Sequence, residues 1–111
     1  MIVGMPIRVT LVNSEGQQIR SIPEPAGTIF DAAGGFDRLL ETDSPLSVWN
    51  TLDPFGEVFI DRSEALELLR ELPEIKKMSN TRIETQGLER LHVLANMCAH
   101  SEDLLLKSQG D

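Results

Sequence analysis

The sequence predicts an α+β domain: an antiparallel β-sheet built from two hairpins and packed on two or three helices of the C-terminal half. Two runs of alternating apolar residues in the N-terminal half are each broken by turn-forming residues. Two later stretches carry apolar residues at three- and four-residue steps, and the regular strand–helix alternation of a parallel sheet is missing.

The first element is Ile7-Arg8-Val9-Thr10-Leu11-Val12. Asn13-Ser14-Glu15-Gly16 breaks the pattern and Gln17-Gln18-Ile19-Arg20-Ser21-Ile22 resumes it, which predicts an opening β-hairpin. Alternation sends Ile7, Val9 and Leu11 to a buried face and Arg8, Thr10 and Val12 to a largely wet one. Pro23 and Pro25 end the second strand. From Thr28 onward a nearly helical pattern is interrupted by Gly34-Gly35, so a loop and a short helix over Phe36 to Leu40 are expected.

Leu46 to Leu52 and Glu57 to Ile60 flank Asp53-Pro54-Phe55-Gly56, in which Pro suits the second turn position and Gly the left-handed one that follows. A second hairpin closed by a type I turn with a bulge is predicted. Its register sets Leu52 opposite Val58 and Thr51 opposite Phe59. Leu46, Val48, Leu52, Val58 and Ile60 then share one face, and Trp49 and Phe59 share the other.

Asp61-Arg62-Ser63-Glu64 has capping-box spacing and opens a helix. Its apolar stripe is Ala65, Leu66, Leu69 and Leu72, set against Glu64, Glu67, Arg70 and Glu71. Pro73 begins a short extra turn through Met78, and the polar stretch Ser79 to Gln86 reads as a connection. Leu88, Leu91, Leu94, Ala95 and Cys98 predict a helix from Thr85 to His100, and Asp103 to Lys107 suits a closing strand.

With 111 residues, 41% of them apolar, and no internal repeat, the chain suits one domain over residues 1–111 with a core able to offset chain entropy. No apolar run approaches the roughly 18–20 residues that span a bilayer, and Met1 to Pro6 has neither a basic n-region nor an apolar h-region. A chain that neither crosses a membrane nor carries a signal is expected. Cys98 is the lone cysteine, so no internal disulfide is available and a reducing cytoplasm fits.

The formal net charge of −8 repels phosphate backbones and anionic lipid, which disfavours direct nucleic-acid or membrane binding. The same charge attracts a basic protein, although it also serves solubility.

Reaction centres are not evident. On one helix His92 and Cys98 point about 240° apart, and Cys98 and His100 about 200° apart, so they do not converge on a metal. The neighbours Leu91, Leu94 and Ala95 make Cys98 a packed thiol rather than a nucleophile. The chain has no G-x-S-x-G elbow, no H-E-x-x-H pair and no phosphate-binding P-loop, and Gly34-Gly35 marks a turn. No catalytic residue, metal ligand or cofactor is therefore assigned. Lys76, Lys77, Arg82 and Arg90 are separated by acids and read as a solvated face.

Acids crowd one stretch. Asp53 and Glu57 flank the tight turn, where Asp53 suits capping through its own backbone contacts. The turn and the start of the following helix can also present an acidic ridge. Its partner-binding residues are Asp53, Phe55, Glu57, Glu64, Glu67 and Glu71. Trp49 and Phe59 are further candidate anchors, with packing beneath the helices as their alternative.

The Ile7-Arg8-Val9 strand and its hairpin, the block from Phe30 to Leu40, Asp53-Pro54-Phe55-Gly56 and the late Leu91-His92-Val93-Leu94-Ala95 helix together resemble small single-domain bacterial proteins of uncharacterised activity. A looser resemblance is to immunity proteins of bacterial toxin systems, which are compact, acidic and cytoplasmic and block basic nuclease toxins. No residue positions carry over from them. The resemblance implies an immunity-type inhibitor of a basic toxin or enzyme. Two alternatives stand beside it: a regulatory or structural subunit using an edge strand at residues 7–12 or 103–107, and a small hydrolase using His92 or His100 in a cleft. The oligomeric state is left open.

Overall fold

The computed structural model describes residues 7–24, 27–40, 48–52 and 56–110. Along the chain come β1 (Arg8–Asn13), β2 (Ile22–Pro23), β3 (Ile29–Phe30), β4 (Ala33–Gly34) and α1 (Asp37–Leu40). A 3-10 turn at Trp49–Thr51, β5 (Glu57–Ile60), α2 (Arg62–Lys76), α3 (Arg82–Ala99) and β6 (Leu104–Gln109) follow. The fold class is α+β: an antiparallel four-stranded sheet of order β4-β1-β6-β5 and a small β2-β3 sheet, with α2 and α3 as the helical layer.

The strand connections differ from two local hairpins. The first turn forms: the Asn13 side-chain oxygen accepts the N–H groups of Glu15 and Gln17 at 3.0 and 2.9 Å, and Gly16 takes φ +83°. The returning chain then meets β1 for a short stretch, through the Asn13 N–H to Gln17 carbonyl bond of 2.9 Å, the Val12–Gln18 bridge and the Ile19 N–H to Leu11 carbonyl bond of 2.7 Å. The main partner of β1 is β6, from the far end of the sequence, paired from Arg8–Gln109 to Asn13–Leu104.

In the second expected hairpin, Leu46 and Asp53 to Phe55 lie outside the described residues. Residues 49–51 form a 3-10 turn rather than a strand, and β5 pairs with β6 instead of with them. The cause is tertiary: the buried Glu71 carboxylate accepts the N–H groups of Val48 and Trp49 at 3.1 and 2.7 Å, drawing this segment onto α2.

Leu11, Leu106 and Ile60 stand opposite one another across three strands and are all fully buried. On the other face of β1, Arg8 is exposed as expected, but Thr10 and Val12 are covered, at 4% and 3% exposed. Their cross-strand neighbours are the half-buried Lys107 and Leu105, whose chains lie alongside them. Placing β1 and β6 inside the sheet removes them as exposed edges for subunit assembly; the edges are β4 and β5.

The capping box at α2 is present: Asp61 accepts from the Glu64 N–H at 2.9 Å and Glu64 from the Asp61 N–H at 3.3 Å. The buried stripe runs through Ala65, Leu68, Leu72 and Ile75, turned from the expected one, and Leu66 is half-exposed. The helix carries through Pro73 to Lys76 instead of restarting there, since Leu72 and Ile75 on either side of the proline are both anchored in the core. In α3, Leu88, Leu91, Leu94, Ala95 and Cys98 form the packed face as the spacing predicts. The Thr81 hydroxyl caps its start, accepting from the Glu84 N–H at 3.1 Å.

Candidate functional site: the surface of β5 and the start of α2

Strand β5 holds Glu57 and Phe59 on one face, since side chains two apart point the same way. Lys107 of the adjoining β6 sits between them, with its ammonium 3.9 Å from the Glu57 carboxylate and 6.0 Å from the Phe59 ring centre. The Gln109 amide donates to Glu57 at 3.3 Å. Phe59 is 49% exposed, a large apolar side chain left open beside a carboxylate.

Immediately after β5 the chain enters α2. Asp61 and Glu64 cap its first turn, where the helix dipole favours negative charge. Glu67 follows one turn later, half-buried and 3.6 Å from Arg70. Arg62 pairs with Glu102 at 3.6 Å. Glu57, Glu64 and Glu67 are thus neighbours along the chain, but Glu57 and Phe59 stand on the sheet face opposite the buried Ile60, whereas Glu64 and Glu67 stand on α2 of the helical layer, with Arg62, Arg70 and Lys107 interleaved.

Glu71 is a correction to the ridge. It is 3% exposed and its carboxylate is engaged by the backbone of residues 48 and 49, so it is a structural acid inside the protein and not part of a binding face. Once the buried stripe turns to positions 68, 72 and 75, position 71 lies beside it. Asp53 and Phe55 lie outside the described residues. Trp49 does not share a face with Phe59. It is buried against Phe36 with ring centres 5.5 Å apart, and its indole N–H donates to the Leu39 carbonyl at 3.2 Å.

Comparison with family models, curated proteins and solved structures found no match for this chain.

The other candidate groups are dispersed. His92 and His100 are both exposed, and His100 Nδ1 donates to the Asn96 carbonyl at 2.7 Å at the end of α3. Among the described residues no three His, Cys, Asp or Glu side chains are grouped to hold a metal ion, and no helix is long and apolar enough to cross a membrane. Cys98 is fully buried, its thiol directed at the Leu104 carbonyl at 3.4 Å, and burial pushes its pKa up to about 11.

Of the long-range ion pairs that went unseen in the sequence, those of Arg38 and Arg90 tie elements together most closely. Arg38 donates to Glu84 through two nitrogens at 2.7 and 2.9 Å and to the Met78 carbonyl at 2.9 Å. This contact, together with the Asn80 N–H, lowers the Glu84 pKa to about 2. Arg90 donates through Nε to Glu24, tying the residue after β2 to α3, and its guanidinium lies over the Phe30 ring of β3 at 5.3 Å. No local spacing signals either pair, because the partners are far apart along the chain.

Proposed function

We propose that this chain is a small acidic protein-binding domain that meets a basic partner through the surface of β5 and the first turns of α2. Glu57, Glu64 and Glu67 supply the charge and Phe59 the apolar anchor. The observation that carries the reading is the half-exposed Phe59 beside Glu57, on a strand that leads directly into the acidic start of α2. An exposed aromatic ringed by charge is the composition of a binding hot spot, and an overall charge of −8 speeds encounter with a cationic surface while repelling nucleic acid and anionic lipid.

In its most concrete form the reading is an immunity-type inhibitor, held in a reducing cytoplasm that suits the buried free thiol, whose surface occludes a basic toxin or enzyme. For the alternative of a hydrolase built on His92 or His100, His92 lines a depression between α2 and α3 with Lys76 and Glu89, and His100 is not among the residues that line it. Charge reversal tests the proposal. The double variant Glu57→Lys, Glu67→Lys leaves the capping box intact and must lose most of the partner retention shown by the wild type. Equal retention by the two proteins would sink the proposal.

A further inference from the structure

Among the described residues, β5 has one neighbour in the sheet, β6. Their register sets Glu57 opposite Gln109. One step further it sets Gly56 opposite Gly110, whose N–H donates to the Gly56 carbonyl at 2.8 Å. Hydrogen-bonded and non-bonded pairs alternate along an antiparallel ladder. Val58 and Ile60 therefore bond to β6, whereas Glu57 and Phe59 turn their N–H and C=O groups away from it, toward the outer edge of the sheet.

The side chains of these two residues are exposed as well. Asp61 is still extended, at φ −86° and ψ −179°, so it follows Glu57 and Phe59 on one face. The edge thus carries an aromatic ring between two acids, over a backbone with open donors and acceptors. At the opposite edge, α3 meets the Gly34 carbonyl oxygen of β4, since a Cβ on Gly87 would stand 1.9 Å from it. Of the two edges, β5 is the one that combines open backbone groups with exposed side chains.

We infer that β5 accepts an extended segment of the basic partner as an added strand, so that the sheet continues into the partner. The inference rests on the proposed binding role and gives it a mode. Glu57 and Phe59 pair their N–H and C=O groups with the incoming backbone, and the side chains select its sequence. The residue opposite Phe59 is apolar, and those opposite Glu57 and Asp61 are lysine or arginine, because opposite charges stabilise cross-strand pairs and like charges destabilise them. The motif is basic-x-apolar-x-basic, which reads the same in either strand direction. Lys107, 3.9 Å from Glu57, lies beyond hydrogen-bonding reach and leaves that carboxylate able to accept from an incoming cation. Charge also selects against a second copy of this chain. Antiparallel self-pairing about Val58 would bring together two chains of net charge −8 and set each Glu57 against a phenylalanine instead of a cation.

The test uses the 15N-labelled full chain and a capped five-residue peptide with lysine at each end, valine in the middle and threonine between. In the free chain the Glu57 and Phe59 amides are expected to exchange with deuterium much faster than those of Val58 and Ile60. The peptide is expected to shift the Glu57 and Phe59 amides saturably, with a Kd of about 1 mM. Methylating the valine nitrogen removes the backbone donor that faces Phe59 but no charge, and is expected to weaken binding about tenfold. Glutamate in place of both lysines is expected to abolish binding. The inference is overturned by slow exchange of Phe59 in the free chain, by no saturable shift at these amides, or by equal affinity of the methylated peptide. Equal affinity of the methylated peptide, with binding still lost on the glutamate exchange, would overturn strand addition and leave the acidic surface standing. Equal binding of the lysine and glutamate peptides would count against both.

Discussion

Gly87 of α3 and Gly34 of β4 touch through their backbones: a Cβ at position 87 would stand 1.9 Å from the Gly34 carbonyl oxygen and 3.2 Å from the Phe36 ring. Gly34 is confined from its other side, since a Cβ there would lie 2.8 Å from the Ile7 carbonyl oxygen. The end of β4, the residue preceding β1 and the first half of α3 therefore meet with no side chain between them. The Gly34-Gly35 pair, which reads in the sequence as a turn, is also a packing point.

Gly87→Ala is expected to destabilise the protein although it improves helix propensity. In an exposed helix interior the substitution stabilises by about 1 kcal/mol. Here the added methyl meets backbone, which cannot rotate away, and a net loss of about 1–3 kcal/mol is expected from overpacking. Urea unfolding followed by circular dichroism reads the sign, and a variant as stable as the wild type would contradict the close contact.

Glu71→Ala is expected to destabilise more than Glu71→Gln. The alanine strips the N–H groups of Val48 and Trp49 of their acceptor inside the core, at about 1–3 kcal/mol for each group left unpaired. Glutamine keeps one acceptor oxygen. Trp49 fluorescence during denaturant unfolding reports both variants, and equal stability of wild type and alanine variant would show that the carboxylate does not hold the 3-10 turn.

How far the sequence reached depends on whether the deciding interaction was local. The capping box of Asp61 and Glu64, the turn at Asn13 to Gly16 and the packed face of Leu88 to Cys98 depend on neighbours a few residues apart, and all are present. The strand character of residues 8–12 and 104–107 was legible too, but their pairing with each other was not, because alternation sets which face is buried and not which strand lies alongside. Val48 to Leu52 has strand-like composition, yet the Glu71 carboxylate captures its backbone, a tertiary effect that overrides propensity. Of the candidate surface, Glu57, Glu64 and Glu67 were legible as polar positions. The burial of Glu71 was not, since it depends on how far the whole stripe of α2 is turned.

Acid should weaken the tether between α1 and α3. The Glu84 pKa is lowered to about 2 from an ordinary 4.5, mainly by the Arg38 hydrogen bond. In that window the unfolded chain takes up the proton more readily than the folded one. The stabilisation is thus fully present above about pH 4.5 and is lost as the pH falls toward 2. Melting temperatures of wild type and Glu84→Gln should differ by several degrees at neutral pH and converge as the pH approaches 2. A constant difference across that range would contradict the assignment.

Affinity capture of tagged protein from cell extract, in a series of rising salt concentrations with mass spectrometry of what is retained, tests the central claim most directly. The account predicts a basic protein held at low ionic strength, released as screening rises past about 0.15 M salt, and missed by the Glu57→Lys, Glu67→Lys variant. Retention of that protein unaffected by salt and by both substitutions, or a capture with no basic protein in it, would contradict the claim.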